Sequence, residues 1–127
     1  MKPSVRPTDP QRPPRILVVE DEPTVRLLIA MHLAEHGFFV VEAASADDAM
    51  TILQEDDLVA LVFSDIQMPG ETDGVGLAQW IGRERPDLKV LLTSGRAVPA
   101  TAGAWPFIPK PYRPENVESR LRTMADV

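Results

Sequence analysis

The sequence predicts an α/β sandwich, a parallel sheet covered by helices on both faces. Three observations carry that prediction. Short apolar runs that are continuous, not alternating, recur along the chain, as expected of strands buried on both sides. Each is followed by a segment with apolar residues at helical spacing. The connections are short, and Pro, Gly, Ser or Asp stands where helices should start and stop. At 127 residues the length fits one domain with its own core.

The elements follow in order. Ile16-Leu17-Val18-Val19 is the first strand and ends in Glu20-Asp21. Pro23 opens a helix carrying Val25, Leu28, Ile29 and Leu33, and Gly37 stops it. Phe38 to Glu42 is the second strand. Ser45 is an N-cap for a helix with Ala46, Ala49, Ile52 and Leu53. Val59 to Phe63 is the third strand and leads to Ser64-Asp65. Pro69-Gly70 and Asp73-Gly74 mark a loop, after which Val75, Leu77, Ala78 and Ile81 form a helical face that Pro86 closes. Leu88 to Leu92 is the fourth strand, ending in Thr93-Ser94-Gly95. Phe107-Ile108 is a brief fifth strand before Lys110-Pro111, and Pro114 opens a last helix with Val117, Leu121 and Met124. The unit between Ser94 and Phe107 is out of step. Pro99 and Pro106 bracket it and Gly103 weakens it, so at most one to two turns of helix fit there.

Of the 13 prolines, Pro3, Pro7, Pro10, Pro13 and Pro14 fall near the start, with Val5 as the one aliphatic residue among them. Residues 1–14 are therefore expected to be a disordered Pro-rich tail, and 15–127 the folded domain. There is no cysteine, which excludes disulfides and thiolate chemistry. Thirteen basic against 19 acidic residues give a net charge of −6, which argues against a nucleic-acid or anionic-membrane binder. No apolar run is long enough to span a bilayer, and the first residues lack the apolar core of a secretory signal. A cytoplasmic location is expected.

In open α/β sheets, functional groups collect at the carboxyl ends of the strands. Here those ends carry Glu20 and Asp21, Asp65, Thr93 and Ser94, and then Lys110. Three carboxylates brought together need a cation or a proton. Oxygen-only ligands favour a hard ion such as Mg²⁺. A lysine and a hydroxyl beside them are the parts of a phosphoryl-transfer site, in which a central carboxylate can be the nucleophile.

These residues carry a resemblance. Ile16 to Glu22, Asp65 with Met68-Pro69-Gly70, Leu91-Leu92-Thr93-Ser94-Gly95 and Lys110-Pro111-Tyr112 occur in the order and spacing of the CheY-like receiver domain of two-component response regulators. The resemblance covers about Arg15 to Met124. It implies a flavodoxin-like doubly wound fold with five strands in the order 2-1-3-4-5, here with helix 4 short or missing. It implies that Asp65 is the phosphoacceptor and that Glu20, Asp21, Asp65 and the backbone carbonyl of Gln67 hold Mg²⁺, with Mn²⁺ as a substitute. Ser94 matches the switch hydroxyl, Thr93 being the competing register. Lys110 matches the conserved-type lysine before a peptide usually held cis. Phe107 matches the switch aromatic, and Gln67 and Arg96 match positions that modulate phosphoryl lifetime. The implied partner is a sensor histidine kinase or a histidine phosphotransfer protein, and the implied state a monomer or weak homodimer.

Two departures stand out. Glu20 replaces the commoner aspartate, and the loop Gly70-Glu71-Thr72-Asp73-Gly74 is one residue longer than usual. No output domain is expected after Val127, so the chain reads as a signalling protein, not an enzyme, whose only chemistry is self-catalysed phosphotransfer and autodephosphorylation. The alternatives are a phosphate sink or a phosphorylation-independent interaction module. A haloacid-dehalogenase-type phosphatase would want an acid where Gln67 stands, and an FMN carrier would want a phosphate-cradling loop where Glu20-Asp21-Glu22 stands. His32 and His36 read as structural or surface residues, and Trp80 and Trp105 as packing or surface groups. Arg83, Arg85, Arg120 and Arg122 read as solvated helix charge.

Overall fold

The computed structural model describes residues 13–96 and 100–126. The elements are β1 (Arg15–Val19), α1 (Pro23–Glu35), β2 (Phe39–Ala43), α2 (Ala46–Glu55), β3 (Val59–Asp65), α3 (Gly74–Glu84), β4 (Lys89–Ser94), a 3₁₀ turn (Ala100–Ala104), β5 (Phe107–Pro109) and α4 (Pro114–Ala125). All strand pairs are parallel, in the order β2-β1-β3-β4-β5. β1 is an interior strand, with Ile16 opposite Val40 on one side and Leu61 on the other.

The continuous apolar runs are explained by two cores. Leu17, Val19, Val62 and Leu92 face one core with Ala49, Leu53, Leu77 and Ile81 of α2 and α3. Ile16, Val18, Leu61, Phe63 and Leu91 face the other with Ile29, Leu33, Val117 and Leu121 of α1 and α4. Neighbouring residues of a strand point to opposite faces, so a strand covered on both sides must be apolar at every position.

Helix ends are set by local chemistry. Glu22 Oε1 accepts from the amides of Thr24 at 2.7 Å and Val25 at 3.4 Å, with Pro23 opening α1. At its far end Gly37 has φ +95°, which lets Phe38 N–H return to the Leu33 carbonyl at 3.1 Å. Ser45 Oγ accepts from Asp48 N–H at 3.1 Å, as the sequence predicts. Asp73 Oδ1 accepts from Gly76 N–H at 2.9 Å and caps α3.

Several local expectations are adjusted. β2 runs one residue later than predicted, from Phe39 to Ala43. Pro14 already belongs to the fold, because its carbonyl accepts from Phe39 N–H at 2.9 Å. Of the expected tail, residues 1–12 lie outside the described residues. The unit between β4 and β5 is the 3₁₀ turn, short as Pro99, Gly103 and Pro106 predict; Ala102 is its buried residue. The expectation of solvated helix charge is modified at Arg85 and Arg122, which are half-buried, while Arg120 stays exposed. Arg85 donates to the Leu53 carbonyl at 2.7 Å and the Asp56 carbonyl at 3.3 Å, pinning the end of α3 to the end of α2. Arg122 bonds Glu118 at 3.0 Å and also the His36 carbonyl. Arg120 donates to the Phe107 carbonyl at 3.3 Å.

Arg15 bridges to Asp56 at 2.8 Å, tying β1 to the end of α2. Burial pushes the Asp56 carboxyl up, but the Arg15 hydrogen bond, the Leu58 amide and the charges of Arg15 and Arg85 together outweigh it and hold the group below its ordinary value. The folded value lies below the unfolded one. The bridge therefore stabilises the fold at neutral pH, and its contribution disappears as pH falls through the folded value. Asp56→Asn should flatten the acid limb of a pH–stability curve; an unchanged limb would rule the contribution out.

Among the described residues no helix is long and apolar enough to cross a membrane.

Candidate functional site

The parallel register assembles the site. Val19 pairs with Ser64, so the residues that follow, Glu20 and Asp65, come side by side where β1 and β3 end. Asp65 is opposite Thr93, and Ser94 is opposite Pro109, whose successor is Lys110. Lys110 N–H donates to the Ser94 carbonyl at 3.0 Å, and the Lys110-Pro111 peptide is cis. Four strand ends separated widely in sequence thus meet at one edge.

Lys110 bridges two acids. Its Nζ lies 2.9 Å from Glu20 Oε1 and 3.0 Å from Asp65 Oδ2. Glu20 and Asp65 are nearly sealed from solvent, at 4% and 6% exposure, while Asp21 is exposed. One carboxylate oxygen from each of Glu20, Asp21 and Asp65 lies within 4.8 Å of the others. The free lone pairs are aligned by backbone amides: Glu22 N–H donates to Glu20 Oε2 at 3.2 Å, and Gln67 N–H to Asp65 Oδ1 at 3.3 Å.

The electrostatics follow from that crowding. Burial pushes the Glu20 carboxyl above its usual range, and the nearby Asp65 charge adds to this; Lys110 and the Glu22 amide only partly offset it. Burial also works against the Lys110 charge, but its bonds to Glu20 and Asp65 outweigh this and hold its pKa above the usual lysine value. Burial, with Glu20 nearby, pushes the Tyr112 hydroxyl up to about 12. Its ring packs edge-on to Phe63, with centroids 5.5 Å apart. Three carboxylates around one ammonium leave an excess of negative charge, and an all-oxygen donor set suits a hard divalent ion.

The remaining predicted residues sit around this centre. Ser94 is buried, and its Oγ donates to Gln67 Oε1 and accepts from Arg96 N–H at 3.0 Å. Thr93 is buried too, but among the described residues its Oγ1 has no partner. Phe107 is half-buried on the core shared with α2 and α3, and Arg96 is exposed. His32, His36, Trp80 and Trp105 lie away from the edge; both tryptophans pack against the core.

Three residues position the site in ways that sequence reasoning does not assign them. Glu22 caps α1 and orients Glu20, so the cap and the acidic edge are parts of one turn. Arg26 Nη1 donates to the Glu20 carbonyl at 2.8 Å, and its Nε to Glu42 at 3.2 Å, fixing the turn after β1. Gly74 is the third. A Cβ there would meet the Asp65 carbonyl oxygen at 2.2 Å and the Ile66 Cα at 2.8 Å. The start of α3 rests directly on the backbone that carries Asp65, and the Gly74 amide bonds the Ile66 carbonyl at 2.9 Å. The Asp-Gly pair reads only as loop in the sequence. Gly74→Ala should destabilise the domain by about 1–3 kcal/mol, the usual cost of overpacking. It should also weaken any chemistry at Asp65, measured by denaturant unfolding beside a phosphorylation assay. Wild-type values in both would show that the backbone yields freely.

Comparison with known proteins agrees with this geometry. Residues 16–122 match the family model described as the response regulator receiver domain. The transcriptional regulatory protein AruR of Pseudomonas aeruginosa is 34% identical over 121 residues, covering 87% of this chain and 49% of that protein. The receiver domain of NtrX from Brucella abortus superposes with a TM-score of 0.77 at 32% identity, covering 88% of this chain and 98% of that one. The response regulator TrrA from Thermotoga maritima, solved in complex with Mg²⁺-BeF, has a TM-score of 0.78 at 26% identity, covering 87% of this chain and 98% of that one. The chain spans half or less of AruR and of the sensor kinase CckA of Brucella abortus, in which it covers 12% of the length. With the match to the family model spanning most of the chain, the fold and the acidic edge have a common explanation: the chain belongs to the response regulator receiver family of two-component systems.

Proposed function

We propose that the chain is a phospho-accepting receiver in which Asp65 takes a phosphoryl group from a phosphohistidine of a sensor kinase or histidine phosphotransfer protein in the cytoplasm. The observation that carries this is the meeting of Glu20, Asp21 and Asp65 within 4.8 Å, with Lys110 bridging Glu20 and Asp65. An Asp65 carboxylate oxygen attacks phosphorus, an O–P bond forms, and the P–N bond breaks with its electron pair leaving on the imidazole. The product is an acyl phosphate, which water later hydrolyses to regenerate the carboxylate.

Glu20, Asp21, Asp65 and the Gln67 carbonyl would hold Mg²⁺, which neutralises charge on the phosphoryl oxygens when bound. Lys110 stays at the site throughout. Its ammonium lies between two acids, and a phosphoryl group on Asp65 supplies further oxygens for it to bind. Phosphorylation adds about −1.5 to −2 of charge. Ser94, now engaged with Gln67, would exchange that bond for a phosphoryl oxygen, and Phe107 on the adjoining strand would follow. Only one state makes the new contacts, so they shift a two-state equilibrium.

The helix next to the site supports a protein donor. α1 starts two residues after Asp21 and exposes Leu27, Leu28 and Met31. An apolar face beside a phosphoacceptor suits docking against another helix.

The test is intact mass after incubation with acetyl phosphate, with and without Mg²⁺. A single phosphoryl adduct that needs Mg²⁺ is expected. No adduct under either condition, together with no Mg²⁺ binding, would reject the reading in favour of a phosphorylation-independent interaction module.

A further inference from the structure

Among the described residues two groups of metal-ligating side chains converge, and only one is the acidic edge. The other is His32 of α1, His36 at the C-cap of that helix and Glu118 of α4, whose ligand atoms lie within 4.8 Å of one another. The two histidines are four residues apart and so share one helix face. α4 packs alongside and supplies the third group.

The hydrogen bonds prepare these atoms for a metal. His36 Nδ1 lies 2.7 Å from the His32 carbonyl oxygen. A carbonyl only accepts, so the proton is on Nδ1 and the Nε2 lone pair is free, an arrangement common for ligating histidines. His32 Nε2 lies 2.8 Å from Glu118 Oε1. The other carboxylate oxygen, Oε2, accepts from Arg122 Nε at 3.0 Å, which orients Glu118 and leaves Oε1 facing the histidines. The imidazole rings stack, with centroids 4.1 Å apart and planes at 20°.

We propose that His32, His36 and Glu118 form a second metal site, separate from the acidic edge, for a borderline divalent transition ion such as Zn²⁺. Two imidazoles and one carboxylate are a standard zinc donor set with an open position for water, and a poor one for Mg²⁺. The ion replaces the proton between His32 Nε2 and Glu118 Oε1. Tetrahedral zinc with ligands near 2.0–2.1 Å sets its donors roughly 3.3 Å apart, so the 2.8 Å contact opens by only about half an ångström. His36 is exposed and supplies the remaining movement. Glu118 offsets the nearby charge of Arg122. The bound ion would cross-link α1 to α4 beside the exposed Leu28 and Met31.

The experiment is calorimetric titration of the untagged full chain with Zn²⁺, in excess Mg²⁺ to occupy the acidic edge, alongside thermal unfolding. One Zn²⁺ should bind per chain and raise the unfolding temperature, since it binds the folded form only. His36→Ala and Glu118→Gln should each weaken binding by about tenfold or more and abolish the thermal shift. His36 is exposed, so its variant tests the site without disturbing the core. Cobalt in place of zinc should give the visible absorption of a tetrahedral nitrogen–oxygen site, absent in His36→Ala. No binding, or binding indifferent to both substitutions, would overturn the proposal. So would binding lost in Asp65→Asn, which would locate the ion at the acidic edge.

Discussion

Asp65→Asn is expected to reduce the Mg²⁺-dependent phosphoryl adduct to background while the protein stays folded. The amide keeps the shape of the side chain but has no anionic oxygen to attack phosphorus. It also removes one of the two carboxylates that bond the Lys110 ammonium. Glu20 and Lys110 are left as a simple pair, with less repulsion across the edge, so stability should be preserved or slightly raised. The variant therefore separates chemistry from folding. Intact mass, peptide mapping and denaturant unfolding should be read on the same sample. An adduct of equal yield on the variant, mapped to another residue, would sink Asp65 as the acceptor. A variant that unfolds would instead show that Asp65 holds the edge together, which the geometry argues against.

Lys110→Ala should have the largest effect on stability. Among the described residues its ammonium is the one cation in contact with two nearly sealed carboxylates, Glu20 and Asp65. Removing one partner of a buried ionic cluster typically costs about 3–5 kcal/mol, because the remaining charges stay buried and unpaired. That is a large part of the 5–15 kcal/mol that holds a small domain folded. The sign with metal is specific. A divalent ion at Glu20, Asp21 and Asp65 supplies part of the missing charge, so the loss should be smaller in Mg²⁺ than in EDTA. Urea unfolding under both conditions measures it. Equal stability of variant and wild type in EDTA would mean that the acids relieve their repulsion by taking up a proton, which the raised Glu20 value already favours. Adduct formation should fall as well, since no ammonium would then face the phosphoryl oxygens.

What the sequence by itself determined is the local layer. Ile16–Val19 and Val59–Phe63 read as strands because burial on both faces demands apolar side chains at every position, and that signal is complete within one segment. Ser45 and Gly37 mark helix ends because capping and positive φ are properties of a few consecutive residues. The shortened unit after β4 is legible because Pro and Gly act on their own backbone. The candidate residues could be picked out because chemistry in such a sheet gathers at strand ends, and each strand end is visible. The strand order came from the resemblance, since short apolar runs carry no pairing information.

The tertiary structure decided everything that depends on contact between distant segments. That Lys110 reaches both Glu20 and Asp65, 90 and 45 residues away, is set by parallel register, not by any pattern near Lys110. Ser94 Oγ bonds Gln67, whereas Thr93 Oγ1 has no partner among the described residues, a difference that neither residue shows in the sequence. Gly74 looks like a turn residue until α3 is seen resting on the Asp65 backbone. Arg85 looks like surface charge until it meets the carbonyls at the end of α2. His32 and His36 already share a helix face in the sequence, but only the packing of α4 against α1 brings Glu118 to them, 86 residues from His32. Periodicity and caps are properties of a segment. Pairing, close approach and convergent charge belong to the packed chain.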